Sequence, residues 1–287
     1  MAFAGTRGLA GLALFLTALA TLASAGELPP GVEIAWYSAD IPPLYIFNGS
    51  LEGTGYGDVI LSLVDGGSQP KRVTVSRTWY EIEHHPVSCT TGALKTPARE
   101  TIALFSARPA MVPNYEVIIR ADLAPRMRPF LNESGKIELA RLTEQSELVG
   151  GSIASRVYPG ILGEALSSSD HRWRMEKISE TPLLMNLLRS NRIDFFFLSP
   201  VELAYYRQTL GGDDRWVGIP IEGLPSHVGI YTACSKSEIG AQVIAEVDAI
   251  LSHDDQFAKV TSVLSSWEER SQLEHIAVGP GAARTHR

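Results

Sequence analysis

The stretch TPLLMNLLRSNRIDFFFLSPVELAYYRQTL, residues 181–210, decides the fold class of this 287-residue chain. Its leucines recur at helical spacing after Thr181-Pro182, a pair that favours the start of a helix. Residues 193–198, IDFFFL, are apolar apart from Asp194, which is typical of a strand buried on both faces of a parallel sheet. A second helix is predicted over residues 200–210. Helix, strand and helix in one run indicate an α/β protein.

Strands and helices alternate on both sides of this stretch, over residues 32–267. Two strongly extended segments, residues 115–120 (YEVIIR) and 228–233 (VGIYTA), are predicted to lie side by side as crossings between two lobes. Each lobe is then a mixed sheet flanked by helices, and the two crossings form a hinge. A ligand site is expected in the cleft between the lobes, beside the carboxyl ends of the strands.

The predicted boundaries place residues 26–118 and 225–276 in lobe 1 and residues 119–224 in lobe 2. Residues 1–25 are predicted to be a cleavable signal peptide, with Arg7, an apolar run and Ala23-Ser24-Ala25 in that order. An uncleaved membrane anchor is the alternative. No cysteine follows the apolar run, so we expect a soluble periplasmic protein and not a lipoprotein. Residues 277–287 are predicted to be a disordered tail.

Charge and composition exclude several classes of partner. The formal net charge is −7, and no run of Lys and Arg resembles a phosphate-binding stripe, so nucleic acid is not an expected partner. No glycine-rich nucleotide motif opens a helix after a strand, and we expect no cofactor. The composition is that of an ordinary globular protein, expected to be a monomer.

The two cysteines, Cys89 and Cys234, suit a single disulfide in an oxidising compartment. Closing so long a loop would stabilise the fold by about 4–5 kcal/mol on the chain-entropy account. Two buried free thiols remain the alternative.

A cluster of acidic residues and histidines, at positions 81–85, invites a metal-site interpretation. Adjacent residues on a helix point in different directions, and the cluster has no histidine pair at i, i+4 spacing. An exposed polar helix face is therefore the preferred interpretation, and no metal site is predicted.

Four motifs occur in a recognisable order. They are GTGYGD (residues 53–58), KTPARETIALFSARP (residues 95–109), NRID (residues 191–194) and VGIY followed by SKS (residues 228–231 and 235–237). Together they resemble the bacterial extracellular solute-binding proteins of family 3, which have the type II periplasmic-binding fold. The resemblance covers most of residues 31–270, with Asn191 where the family has Gly. Its most specific part is the second motif, similar to the family's T-x-x-R and F-S-x-P signature.

This resemblance implies a Venus-flytrap binder, in which two lobes close on a small solute and a membrane partner recognises the closed form. An ABC transporter is the partner we expect, and a sensor kinase or chemoreceptor is the alternative. In amino-acid-binding members the arginine of T-x-x-R clamps the ligand carboxylate, which implies that role for Arg99, with Thr96 nearby. A structural ion pair between Arg99 and Glu100 is the competing interpretation.

Two positions at which this chain departs from the family pattern affect the class of ligand that we expect. Amino-acid binders usually carry an acidic residue after the buried strand of the second lobe, where this chain has Ser199, unless Glu202 turns in. An α-amino acid is therefore a doubtful ligand. The second-lobe loop has Ser155-Arg156, and a second arginine would favour a more anionic ligand such as a di-acid or a phosphorylated or sulfonated compound. A solvent-exposed Arg156 is the alternative.

Aromatic side chains near the predicted cleft mouth are further candidates for ligand contact, above all Tyr45 and Tyr56, and also Trp36. Each is otherwise a core residue.

An enzymatic role competes with binding, because a few relatives on this fold are dehydratases acting on cyclic carboxylic acids. His227, Glu202 and Glu222 are the acid/base candidates by position, but none lies in a recognisable motif. We therefore predict a binding protein without a catalytic residue.

Overall fold

The computed structural model describes residues 31–145, 147–168, 173–210 and 215–272. The predicted signal peptide, residues 1–25, and the predicted tail, residues 277–287, lie outside these ranges. Among the described residues, no helix is both long enough and apolar enough to cross a membrane.

Strands and helices alternate along the described chain. The strands are β1 (Ala35–Ser38), β2 (Lys71–Arg72), β3 (Ser88–Leu94), β4 (Ala103–Phe105), β5 (Ala110–Pro113), β6 (Glu116–Arg120), β7 (Val149–Ile153), β8 (Arg174–Ile178), β9 (Phe195–Leu198), β10 (Trp216–Pro220) and β11 (His227–Ser235). The helices are α1 (Tyr56–Val64), α2 (Val75–His84), α3 (Pro97–Glu100), α4 (Ala124–Met127), α5 (Leu139–Gln145), α6 (Gly160–Ser167), α7 (Thr181–Arg189), α8 (Pro200–Leu210), α9 (Glu238–Ser252) and α10 (Asp254–Gln272).

The first sheet has the order β2-β1-β3-β11-β4, and β5 also pairs with β11. The strand β1 is parallel to β2 and β3, whereas β11 is antiparallel to β3, β4 and β5. Helices α1, α9 and α10 contribute Ile60, Val247 and Val260 to the core beside this sheet. The sheet is therefore mixed, and a late segment of the chain completes it.

The second sheet has the order β10-β6-β9-β7-β8, with β9 at its centre. All four residues of β9 are fully buried. Phe195 and Phe197 pack into one core cluster while Phe196 packs into another, because successive side chains of a strand point to opposite faces. The prediction of a strand buried on both faces is confirmed, and so is the fold class of two mixed sheets flanked by helices.

Two short connections join the sheets, one from β5 to β6 and one from β10 to β11. At the first, Asn114 donates from its backbone N–H to the carbonyl oxygen of Ser226 (2.8 Å) and from Nδ2 to that of Pro225 (3.0 Å). The predicted pairing of residues 115–120 with residues 228–233 is wrong. Instead β6 pairs with β9 and β10, and β11 pairs with β5, because the chain crosses at Asn114, before the extended segment. The predicted boundary, residue 118, lies within β6.

Helix α10 packs against both lobes. Its Leu264 belongs to the core of the first sheet, whereas the ring of Trp267 lies 5.5 Å from that of Tyr205 in α8, centroid to centroid. One turn later, Arg270 Nη1 donates to Gln208 Oε1 at 2.8 Å. The helix thus adds a third link between the lobes, beside the two connections.

The disulfide between Cys89 and Cys234 is present, as predicted, and joins β3 to β11. The two residues lie opposite each other in the antiparallel pairing, and both side chains are buried. The bond closes a loop of 145 residues through the sheet that the end of the chain completes.

Replacing both cysteines, Cys89→Ala with Cys234→Ala, is expected to lower the free energy of unfolding by about 5 kcal/mol, because the unfolded chain regains the entropy of an open loop. Urea denaturation followed by circular dichroism measures the change. The parent protein reduced in denaturant serves as control and should resemble the double variant. Equal denaturation midpoints for the parent and the double variant would contradict this prediction.

Burial of Glu116, which begins β6 and is only 8% exposed, raises the pKa of its carboxyl group from 4.5 to about 7. The folded state therefore holds this proton more tightly than the unfolded state does. The resulting stability is fully present below about pH 4.5 and is lost as the pH rises through about 7.

The neutral variant Glu116→Gln should therefore lose less stability than the parent between pH 5 and pH 8. Thermal unfolding at both pH values tests this, and the difference between the two proteins isolates Glu116 from other titrating groups. Parallel pH profiles would show that burial does not raise the pKa of this carboxyl group.

Candidate ligand-binding cleft

A cavity of about 120 Å³ lies between the two lobes, at the carboxyl ends of β1, β7 and β9. The first lobe lines it with the loop after β1, the start of α2 and the end of β3. The second lobe contributes the loop after β7 and the start of α8. This is the position expected for a ligand site between two such sheets.

Arg99 lines this cavity from α3, a single helical turn whose N-cap is Thr96. The Thr96 hydroxyl accepts from the backbone N–H of Arg99 (3.3 Å), which fixes the start of the turn. The Arg99 guanidinium lies 4.0 Å from the centroid of the Trp79 ring, and Nη1 donates to the carbonyl oxygen of Leu94 (2.9 Å). These contacts hold the group in place while using one of its five N–H donors.

No acidic side chain among the described residues forms an ion pair with Arg99. Glu100, its sequence neighbour, pairs instead with Lys95 at 3.1 Å. Burial lowers the pKa of Arg99 to about 10, so that its guanidinium is still charged at neutral pH. The cavity therefore contains a half-buried cation that no carboxylate of the described residues neutralises.

Arg156 is paired, in contrast to Arg99. Its Nη1 and Nη2 donate to Oε2 and Oε1 of Glu202 at 2.8 and 3.0 Å, and both side chains are almost completely buried (6% and 4% exposed). Burial disfavours the charge on Arg156, but Glu202 outweighs this and raises the pKa of Arg156 well above its usual value. The alternative of a solvent-exposed Arg156 is thus wrong, because the guanidinium turns inward to Glu202.

Two further residues support this pair. Thr181 is the first residue of α7, and its hydroxyl donates to Glu202 Oε1 at 3.0 Å. Tyr115, next to the first connection between the sheets, lines the same cavity and lies close enough to Arg156 for the two side chains to interact electrostatically. Glu202 does turn into the cleft, which was the condition for an acidic site in the second lobe, but there it meets a cation of the protein itself.

Ser199 and Tyr45 also line the cavity. Ser199 Oγ donates to the carbonyl oxygen of Pro113 at 2.7 Å, and the Tyr45 hydroxyl accepts from Thr91 Oγ1 at 2.7 Å. A side chain at Gly57 would overlap the Tyr45 ring, so glycine is what allows that ring to pack against α1. Both polar groups thus have partners within the protein, and both residues form part of the cavity wall.

Four other predicted contact residues do not line this cavity. Trp36 and Tyr56 are 2% exposed and lie in the core of the first lobe, where Trp36 Nε1 donates to Asp65 Oδ2 at 3.0 Å. Thr96 lines a wider opening of about 1000 Å³ that shares Leu94, Val157 and other wall residues with the cavity. Ser155 is half-buried in the loop beside Arg156 and lines neither space.

Residues that the sequence alone did not single out complete the site. They are Trp79 beneath Arg99, Thr181 beside Glu202 and Tyr115 beside Arg156. Trp79 lies on α2. Its contact with Arg99 depends on how α2 packs against α3, which no local pattern reveals.

The acid/base candidates are engaged elsewhere. His227 Nε2 lies 2.9 Å from Glu268 Oε1, and Glu222 Oε2 accepts from Asn132 Nδ2 at 2.7 Å. Neither His227 nor Glu222 lines the cavity.

The acidic and histidine cluster at positions 81–85 is only partly exposed. Glu83 and His84 are exposed, as the predicted polar helix face requires, whereas Glu81 is buried and contacts Arg77 and His85, so the prediction is wrong for Glu81. Within the described part of the chain, no three His, Cys, Asp or Glu side chains are placed to share a metal ion.

Sequence comparison finds no matching family model and no similar curated protein. Structural comparison finds clear likenesses. An amino-acid ABC transporter substrate-binding protein of Streptococcus pneumoniae, AbpA bound to L-arginine, superimposes with a TM-score of 0.60 at 11% identity, over 83% of this chain and 94% of that one. The periplasmic VFT2 domain of BvgS from Bordetella pertussis gives a TM-score of 0.57 at 14% identity, over 82% of this chain and 93% of that one.

A third likeness is to AncCDT-1, an ancestral amino-acid-binding protein described as a precursor of cyclohexadienyl dehydratase. It gives a TM-score of 0.60 at 15% identity, over 81% of this chain and 93% of that one. At such low identities these likenesses establish the architecture, and they agree with the sheet orders and the cleft described above. The chain has the type II periplasmic-binding fold, the fold of the amino-acid-binding proteins that it resembles.

Proposed function

We propose that this chain is a periplasmic solute-binding protein, similar to family 3, that captures a small carboxylate-bearing solute between its lobes. One observation carries the proposal: Arg99 lines a buried, mostly apolar cavity, and no acidic residue of the described chain pairs with it. A planar guanidinium donates two parallel hydrogen bonds to a carboxylate, and these bonds are stronger where water is excluded.

The walls of the cavity support closure around the solute. Arg99 and Trp79 belong to the first lobe, whereas Arg156 and Glu202 belong to the second. A solute held by Arg99 would therefore contact both walls and favour the conformation in which they are close. The short connections at Asn114 and between β10 and β11 suit such a hinge.

Arg156 does not support a second carboxylate clamp. Two of its nitrogen atoms already donate to Glu202, and the pair is neutral as a whole. The charge that remains for a solute is the single charge of Arg99. We therefore favour a monoanion over the di-acid or phosphorylated compound that two free arginines would select.

An ABC transporter is the membrane partner that we propose, because AbpA, with the same fold, is a substrate-binding protein of such a transporter. The fold also occurs as the VFT2 domain of BvgS, which keeps a sensing partner as the second candidate. The Cys89–Cys234 bond is consistent with an oxidising compartment such as the periplasm.

A dehydratase on this fold would need an acid/base side chain at the cavity. Glu202 is the one candidate that lines it, and both of its oxygen atoms accept hydrogen bonds from Arg156. We therefore propose binding without catalysis.

A thermal-shift screen of small carboxylates against the parent protein tests the proposal. A solute present at 100 times its Kd should stabilise the protein by about 2.7 kcal/mol. Titration calorimetry of the best solute should then show that Arg99→Ala weakens binding by about 100-fold, because the solute carboxylate loses its partner in a desolvated site. The affinity of Arg99→Lys should lie between those of the parent and Arg99→Ala, since lysine keeps the charge and loses the planar guanidinium.

The matched control is Arg128→Ala, which removes an exposed arginine that does not line the cavity. It should bind like the parent. Unchanged affinity in Arg99→Ala would refute the clamp, and a broad screen without any stabilising solute would refute solute binding.

A further inference from the structure

Glu202 is the single acidic side chain among the described residues that line the cavity, and the protein itself satisfies it. Each carboxylate oxygen accepts one N–H of Arg156, and Oε1 also accepts the hydroxyl of Thr181. On the basis of the function proposed above, we infer that the solute is a monocarboxylate with an apolar body and without an α-ammonium group. Arg156 is then the residue that determines this specificity.

Several other polar atoms of the wall already have a partner within the protein. The carbonyl oxygen of Pro113 already accepts from Ser199, and that of Leu94 already accepts from Arg99. The Tyr45 hydroxyl accepts from Thr91. A buried ammonium needs several acceptors to replace its water, and here it would also lie near two guanidinium groups.

The rest of the wall suits a hydrocarbon. Apolar side chains line it from both lobes and from the strands beside the connections, among them Ile41, Leu44, Val75, Val112, Val201 and Ile230. An apolar body gains free energy on leaving water for such surroundings, whereas a second polar group would lose its hydration without replacement. The wall therefore selects one charged end and one apolar end.

Arg156 takes the place that a cationic group of a solute would need. It reaches Glu202 from the loop after β7, across 46 residues of sequence, and its side chain is buried. In the variant Arg156→Met, Glu202 would be a buried carboxylate without its cation. Such a carboxylate would attract an ammonium group from a solute, so this single change should move the specificity towards amino acids.

Calorimetry with two matched pairs of compounds tests the inference on the parent protein. The pairs are 4-methylpentanoate with L-leucine and 3-phenylpropanoate with L-phenylalanine, which differ in the α-ammonium group alone. We expect at least one acid to bind about 100-fold more tightly than its amino acid, because the ammonium is desolvated without a partner. An amino acid that binds as tightly as its acid would overturn the inference and leave the Arg99 clamp and solute binding intact.

Two variants separate specificity from folding. Arg156→Met should bring the affinity for the amino acid of the preferred pair to that of the acid or above it. The double variant Arg156→Met with Glu202→Gln has no charge at the position of the pair and should keep the preference of the parent for the acid. If circular dichroism shows that the single variant does not fold, the parent and the double variant decide the question. Loss of the acid preference in the double variant would overturn the role of Arg156.

Failure of the inference differs from failure of the proposed function. If none of the four compounds binds but the wider screen yields a solute, the chemistry of that solute decides. A solute that is a zwitterion or a dianion overturns the inference, whereas an apolar monocarboxylate supports it. If no small anion or amino acid binds, solute binding itself is refuted, and the inference with it.

Discussion

The buried pair of Arg156 and Glu202 is the interaction on which the second-lobe wall of the cleft depends. Taking both charges out of water is costly, and two short hydrogen bonds offset the cost only while their geometry is kept. Thr181 adds a hydrogen bond from α7, and Tyr115 lies beside Arg156 next to the connection between the sheets. The loop after β7 and the helices α7 and α8 are thereby held in one arrangement, whatever the net contribution of the pair to stability.

Arg99 is the second arginine of the cleft, and unlike Arg156 it has no acidic partner among the described residues. It lies on a helical turn fixed by Thr96 and on the face of Trp79, so that its position does not depend on an acidic partner. A guanidinium held in this way is ready to bind, because little conformational entropy is left to lose when an anion arrives. The cleft thus combines one arginine that is part of the structure with one that is available to a solute.

Local pattern was enough to predict much of the architecture. The leucine spacing and the IDFFFL run of residues 181–198 predict their helix and buried strand, because periodicity and continuous apolarity are properties of neighbouring residues. The pairing partners of residues 115–120 and 228–233 were not predictable, since hydrogen-bonded register depends on where the chain crosses. Sequence patterns also could not show that Trp36 is a core residue or that Arg156 pairs with Glu202. Those contacts join residues that are far apart in the chain.

Helix α10 has a mechanical consequence for any motion of the lobes. Its first half is packed with the first sheet, and Trp267 and Arg270 in its second half rest on α8. Rotation about the two connections must therefore either carry the helix along with one lobe or shear the indole of Trp267 across the ring of Tyr205. The helix therefore limits how far the lobes can separate. The free energy lost by exposing the apolar area under Trp267 sets the energetic penalty for wide opening.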